Sequence, residues 1–178
     1  MKKAFIVFFS LFVCTGLFAQ RTYRIGDTDP AGGIVFFDKG STSDGWRYLE
    51  AAPARTEAEA AWGPTTDVAG TGTAVGSGRR NTQLIVAALG TNESAARLCA
   101  NLNVNEYKDW FLPSIDELDL MYKNLKQKGL GGFEDGFYWS SSQEAGNYYL
   151  ALTRLFSDGH QYIGYKDYDH NVRAVRAF

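Results

Sequence analysis

Cysteine is nearly absent from this chain. Only Cys14 and Cys99 occur in its 178 residues, and Cys14 lies in an apolar leader. The exported remainder therefore has one thiol and no internal disulfide, and a chain of this size depends on its core instead. Histidine is equally scarce, with His160 and His170 alone, which thins the repertoire for general-base or zinc chemistry. Basic charge is not in excess: 18 Lys and Arg stand against 20 Asp and Glu. Lys2 and Lys3 belong to the leader, so the remainder is acidic. Non-specific nucleic-acid binding, which draws on a positive surface, is excluded as a function class. A run long enough to cross a membrane is also missing. The apolar stretch Ala4 to Val13 is short and broken by Ser10. With Lys2 and Lys3 before it and Leu17-Phe18-Ala19 after it, residues 1–19 read as a signal peptide. Residues 20–178 are then a single domain of about 160 residues, expected to be exported: periplasmic, cell-surface or secreted. Leu11-Phe12-Val13-Cys14 forms a loose lipobox, so a membrane contact is expected only if Cys14 carries a lipid.

The densest structural signal runs from Asp109 to Tyr122. Trp110, Phe111 and Leu112 have strand composition. Pro113 stops the strand, because it has no N–H for a ladder. Ser114 and Glu117 then form a capping box, in which the serine oxygen accepts an orphan N–H and the glutamate reaches back to the cap. Acidic residues gather at the helix start and Lys123, Lys126 and Lys128 near its end, as the macrodipole favours. Gly129 provides a left-handed stop. Leu118, Met121, Tyr122 and Leu125 recur at helical spacing, so the helix is structural.

These residues also carry a resemblance. Asp109-Trp-Phe-Leu-Pro-Ser-x-x-Glu-Leu118, Tyr138-Trp-Ser-Ser-Ser142, Phe156-Ser-Asp-Gly159 and the ending Val172-Arg-Ala-Val-Arg-Ala-Phe178 resemble the Lcl C-terminal domain family. That family is similar to the formylglycine-generating-enzyme branch of C-type-lectin-like folds. The resemblance implies an α+β domain with two or three helices packed on twisted antiparallel sheets, and a binding module more than an enzyme. The oxidase relatives use a cysteine pair in the C-terminal half. This chain has no cysteine after Cys99, which implies that their activity is absent.

Elsewhere, turn formers from Asp27 to Gly33 lead into a strand Ile34–Phe37, paired antiparallel with Trp46–Leu49. A short helical turn is expected over Glu57–Ala61. Gly70 to Gly78 invites a phosphate-loop reading, but Gly78 is followed by Arg79-Arg80-Asn81 and not by Lys-Ser/Thr; a glycine-rich surface loop is expected. Asn81 or Thr82 is expected to cap a helix over Leu84–Leu89, stopped by Gly90, and Thr91 or Asn92 a second helix over Ser94–Leu102. The latter puts Ala95, Leu98, Cys99 and Leu102 on one face, with Cys99 as a small core hydrophobe. Strands are expected over Phe137–Ser142 and Tyr148–Phe156, with a Ser157-Asp158-Gly159 hairpin, a return to Tyr165 and a closing strand. The termini then meet in one sheet.

The chemistry offered is limited. Ser140, Ser141 and Ser142 lack the glycines of a nucleophile elbow. Asp158, His160, Asp167, Asp169 and His170 cluster in sequence and offer ligands to calcium or zinc, although the tripeptides by which C-type lectins hold calcium and sugar are absent. No cofactor is otherwise implied. The strongest signal is tyrosine interleaved with Ser, Gly and Asn between Asn147 and Asn171, a composition typical of binding surfaces. The expected ligand-binding residues are Asn147, Tyr149, Arg154, Asp158, His160, Tyr162, Tyr165 and Tyr168. Alternation along Tyr148–Leu152 predicts Tyr149 and Thr153 outward. The ligand expected is a glycan, glycosaminoglycans included, or a surface protein; sulfated sugars would need a local basic patch, for which Arg154 and Lys166 are thin support. Two other readings stand beside it: a metal-dependent enzyme using Asp158, His160 and His170, and a structural part of an envelope assembly. Arg173 and Arg176 are expected to be structural, one pairing with Asp109 or stacking on Trp139.

Overall fold

The computed structural model describes residues 21–178; the signal-peptide and Cys14 readings lie outside the described residues. The elements in chain order are β1 (Ile34–Ser43), β2 (Trp46–Ala51), β3 (Ala58–Ala61), α1 (Gly78–Leu89), α2 (Ala95–Asn101), α3 (Ile115–Asn124), β4 (Phe137–Gln143), β5 (Leu150–Leu155), β6 (Gln161–Tyr165), β7 (Asp169–Val172) and β8 (Val175–Ala177). They build two sheets, ordered β1-β2-β8 and β3-β7-β4-β5-β6. All pairings are antiparallel except a short parallel contact of β4 with β7. The fold class is α+β, with the first and last described strands in one sheet through β2.

α3 is the hinge of the packing, and its expected cap is present. The Ser114 N–H donates to Glu117 Oε2 at 2.8 Å and the Glu117 N–H to Ser114 Oγ at 3.3 Å. Glu117 does more than close its own helix: its Oε1 accepts the Gly76 N–H at 2.8 Å, fixing the glycine-rich loop. Ile115, Leu118, Met121 and Leu125 join Phe36, Tyr138, Leu152 and Phe156 in one buried cluster. A second cluster gathers Trp62, Ile85, Leu89, Cys99, Trp110 and Trp139. The helical path continues as a 3-10 turn to Lys128, and Gly129 ends it at φ +68°.

Several elements depart from expectation for identifiable reasons. The Trp110–Leu112 strand is reduced to one bridge, Phe111 with Val175, because Pro113 follows at once. Glu57–Ala61 is not a helical turn: a 3-10 turn at Ala54–Thr56 leads into β3, which pairs with β7. Tertiary pairing overrides the local preference there. α1 starts a turn early, after Ser77. Asn81 and Thr82 are inside it and buried, and the Asn81 amide clamps the loop through Gly72 O at 2.7 Å and Gly72 N at 2.8 Å. In α2 the cap is Ser94, with Ala95, Ala96 and Cys99 buried, while Leu98 is exposed. β5 and the hairpin turn stand as expected, but β5 lies between β4 and β6 with both faces covered. Thr153 is buried and donates to Tyr138 O at 2.7 Å, and Tyr148 is exposed, so of the two residues predicted outward Tyr149 is exposed and Thr153 is not.

The three buried serines of β4 are structural donors. Ser140, Ser141 and Ser142 donate to Leu152 O, Pro113 O and Gly72 O, tying β4 to β5, to the α3 entry and to the loop. Arg173 and Arg176 are structural as well. Arg173 donates to Glu57, Gly131 O and Gly132 O and lies 4.3 Å over Phe133, not on Trp139. Arg176 reaches Asp109 at 2.7 Å and also Glu50 and Asp29.

Candidate functional site

The tyrosines divide into two groups, one at each end of the β5–β6 ladder. In the β5–β6 ladder Thr153 faces Tyr162 and Leu150 faces Tyr165. Successive strand residues point to opposite faces, so Tyr162 and Tyr165 are on different sides of the sheet. Gly164 fixes which side is which: a Cβ there would meet Trp139 at 2.7 Å and His170 Nε2 at 3.0 Å. Tyr162 therefore shares the face of Trp139 and His170.

The first group occupies two adjoining turns at one end of the sheet. Tyr148 and Tyr149 precede β5; their rings lie 4.2 Å apart and the Tyr148 hydroxyl donates to that of Tyr149 at 2.7 Å. That hydrogen bond raises the Tyr148 pKa above the ordinary phenol value. Asn147 shapes the turn by accepting the Tyr149 N–H at 3.1 Å. Across the ladder the Lys166 N–H donates to Tyr149 O at 3.0 Å, which brings the second turn alongside. There Tyr165 and Tyr168 have ring centroids 5.6 Å apart. All four rings are open to solvent, from 44% for Tyr148 to 57% for Tyr168.

The second group sits at the hairpin. Asp158 Oδ1 accepts the His160 N–H at 2.8 Å, and Asp158 Oδ2 accepts the Tyr162 hydroxyl at 3.0 Å. These bonds, the His160 N–H first, hold the Asp158 carboxyl below its usual range. Tyr162 packs edge-on to Phe137, which stacks on His170. Asp158 and the His160 backbone are thus occupied in shaping the turn, while the His160 imidazole is exposed, 3.4 Å from Asp158 Oδ2. Burial lowers the His170 pKa. Among the described residues no three His, Cys, Asp or Glu side chains converge as metal ligands.

Both cations expected to serve a ligand are turned inward. Arg154 is buried, pairs with Asp119 at 2.9 Å and donates to Gly159 O, holding the hairpin to α3. Lys166 is fully buried. Its Nζ donates to Thr66 O at 2.8 Å and Gln143 Oε1 at 2.6 Å, and lies 4.1 Å over the Trp62 ring. Asp167 remains exposed beside the tyrosines. The tyrosine end is therefore aromatic and neutral to acidic.

A cleft of about 500 Å³ lies between the β1–β2 hairpin and the start of α1, lined among others by Trp46, Arg79, Arg80, Gln83 and Asp109. In the sequence its one mark is the Arg79-Arg80 pair after the glycine loop. Arg79 is partly committed, donating to Ala177 O at 3.2 Å and facing Asp109 at 3.6 Å.

Two sheets with three helices, a looped topology and the first and last described strands in one sheet define a C-type-lectin-like fold of the formylglycine-generating-enzyme type. Within that class the chain belongs to the Lcl C-terminal domain family, whose model matches residues 40–176. No curated protein matches the sequence.

Proposed function

We propose that this is an exported, non-catalytic ligand-binding module whose binding surface is the tyrosine end: Asn147, Tyr148, Tyr149, Tyr165 and Tyr168. The observation that carries this reading is the juxtaposition of four exposed tyrosines on two adjoining turns. Such rings offer stiff, amphipathic contact area at low conformational cost, and the flanking asparagine and backbone groups adapt their hydrogen bonding. Since Arg154 and Lys166 are buried and Asp167 is exposed beside the rings, the site offers no positive charge, which favours the face of a neutral glycan or the surface of a protein over a sulfated sugar. Asp158, His160 and Tyr162 belong to the hairpin and are not needed for this contact.

The experiment is binding of residues 20–178 to an array of neutral and sulfated glycans and matrix proteins, in low and moderate salt. Binding to neutral ligands that persists as salt rises is the expected result. Binding confined to sulfated ligands and lost with salt would overturn the uncharged-ligand reading, since screening acts on exposed charge. Retained binding by a Tyr149→Ala/Tyr168→Ala variant would overturn the site.

A further inference from the structure

The two sheets leave four edges, and three are blunted. β1 carries Asp38 and Lys39, slips register twice, and is met by residues 26–28 through Gly26 N to Val35 O and Val35 N to Asp27 O. β3 carries Glu59 and packs against α2. β8 exchanges hydrogen bonds with Phe111 through Val175. Charges, bulges and covering segments are the usual protection against edge-to-edge pairing. β6 has none of them. Gln161-Tyr162-Ile163-Gly164-Tyr165 contains no charge and no proline, pairs with β5 without a bulge, and is exposed at every residue but Gly164.

The hydrogen-bond parity of β6 can be read from its ends. Leu155 N–H donates to His160 O at 3.1 Å and Lys166 N–H to Tyr149 O at 3.0 Å. Antiparallel pairs alternate between bonded and non-bonded, so Thr153/Tyr162 and Ala151/Gly164 are the bonded pairs within. The N–H groups of Gln161, Ile163 and Tyr165 and the carbonyls of Gln161 and Ile163 then point away from β5. Among the described residues none of them has a partner, while the Tyr165 carbonyl accepts the Tyr168 N–H at 3.0 Å.

We propose that β6 is the seam of a two-fold homodimer, pairing antiparallel with β6 of a second copy about Ile163. Each copy donates its Ile163 N–H to the other's Ile163 carbonyl and its Tyr165 N–H to the other's Gln161 carbonyl. The strand is self-complementary in this register. Ile163 meets Ile163, Tyr162 lies opposite Gly164, and Tyr165 lies opposite Gln161, so bulk faces its absence and no like charges meet. The two five-stranded sheets become one, and the tyrosine ends of the copies sit at opposite ends of the seam, with the two Tyr165 Cα atoms about 15 Å apart. A ligand with repeated epitopes would then be held by both copies. The pairing itself does not rest on the ligand reading.

A seam this short is smaller than a standard interface, so the dimer is expected to form in a concentration-dependent way over the micromolar range. Analytical ultracentrifugation of residues 20–178 reads it. Ile163→Lys places a charge on the seam, and Ile163→Pro removes an N–H that β5 does not use; each is expected to weaken association at least tenfold while leaving the melting curve in place. Should Ile163→Pro fail to fold, Ile163→Lys decides. Ile163→Cys is expected to form a covalent dimer on mild oxidation, because residues facing each other in a bonded pair lie about 5.5 Å apart at Cα, within disulfide reach. Cys99 is buried and does not compete. A wild-type protein that stays monomeric at all concentrations overturns the proposal. So does a dimer that survives both Ile163→Lys and Ile163→Pro.

Discussion

Glu50 and Lys166 are the residues whose environment departs furthest from what their types suggest. Glu50 is fully buried; Arg176 donates to its Oε1 at 2.7 Å, and its Oε2 has no hydrogen-bond partner. Burial, with Asp29 beside it, pushes its pKa from 4.5 up to about 9. A carboxyl raised in the folded state binds its proton more tightly there than in the unfolded chain. Its contribution to stability is therefore full below about pH 4.5 and is lost as pH rises towards about 9. Glu50→Gln is expected to flatten the stability curve across that window, as measured by urea unfolding at several pH values; an unchanged slope would contradict it. Lys166 shows the limit of reading charge from sequence. It stands among exposed tyrosines, yet it is buried, and desolvation lowers its pKa to about 8. Nothing in the local pattern marks it as inward. What turns it inward is the carbonyl of Thr66 and the Trp62 ring, which are far away in sequence. The exposed tyrosines, by contrast, were legible from composition. Tyr149→Ala and Tyr168→Ala are expected to change stability by no more than about 0.5 kcal/mol, so that any loss of binding reports contact and not unfolding.

At the scale of elements, α3 was readable because its signals are local: a serine and a glutamate at cap spacing, an apolar stripe, and a glycine stop. The start of α1 was not, since Asn81 and Thr82 look like caps but bond to Gly72, Ser141 and Leu112. The face of each tyrosine was also hidden. Tyr162 and Tyr165 belong to opposite faces through a ladder register that no local pattern prints. Glu117 tests how much α3 organises. Glu117→Ala removes one half of the capping box, strands the buried N–H of Ser114 and releases the Gly76 N–H of the glycine-rich loop. The expected loss is about 2–4 kcal/mol, against less than about 0.5 kcal/mol for Asp116→Ala on the exposed side of the same turn. Chemical denaturation of the two variants measures the difference. Equal losses would mean that the loop is held by something other than Glu117.

On the whole-molecule scale the fold closes through its last residues. Val175–Ala177 pair with Leu49–Ala51, and Arg176 joins Asp29, Glu50 and Asp109, so segments far apart in the chain meet at the C-terminus. Deleting residues 175–178 is expected to abolish cooperative unfolding by circular dichroism; a two-state melt in the truncated chain would contradict this closure. The meeting of the first and last described strands in one sheet was legible in the sequence because residues 172–178 are strand-forming and share their motif with the family. The proposed ligand surface was legible only as a composition. The fold alone turns that composition into a place: one end of a sheet where two turns bring Tyr148, Tyr149, Tyr165 and Tyr168 together. The measurement that tests this most directly is ligand binding by the Tyr149→Ala/Tyr168→Ala variant beside a Tyr162→Ala variant, each folded as the wild type, on whichever ligand the wild type selects from the array. Loss of binding in the first and retention in the second is the predicted result. Retention in the first, or loss in the second alone, would contradict it.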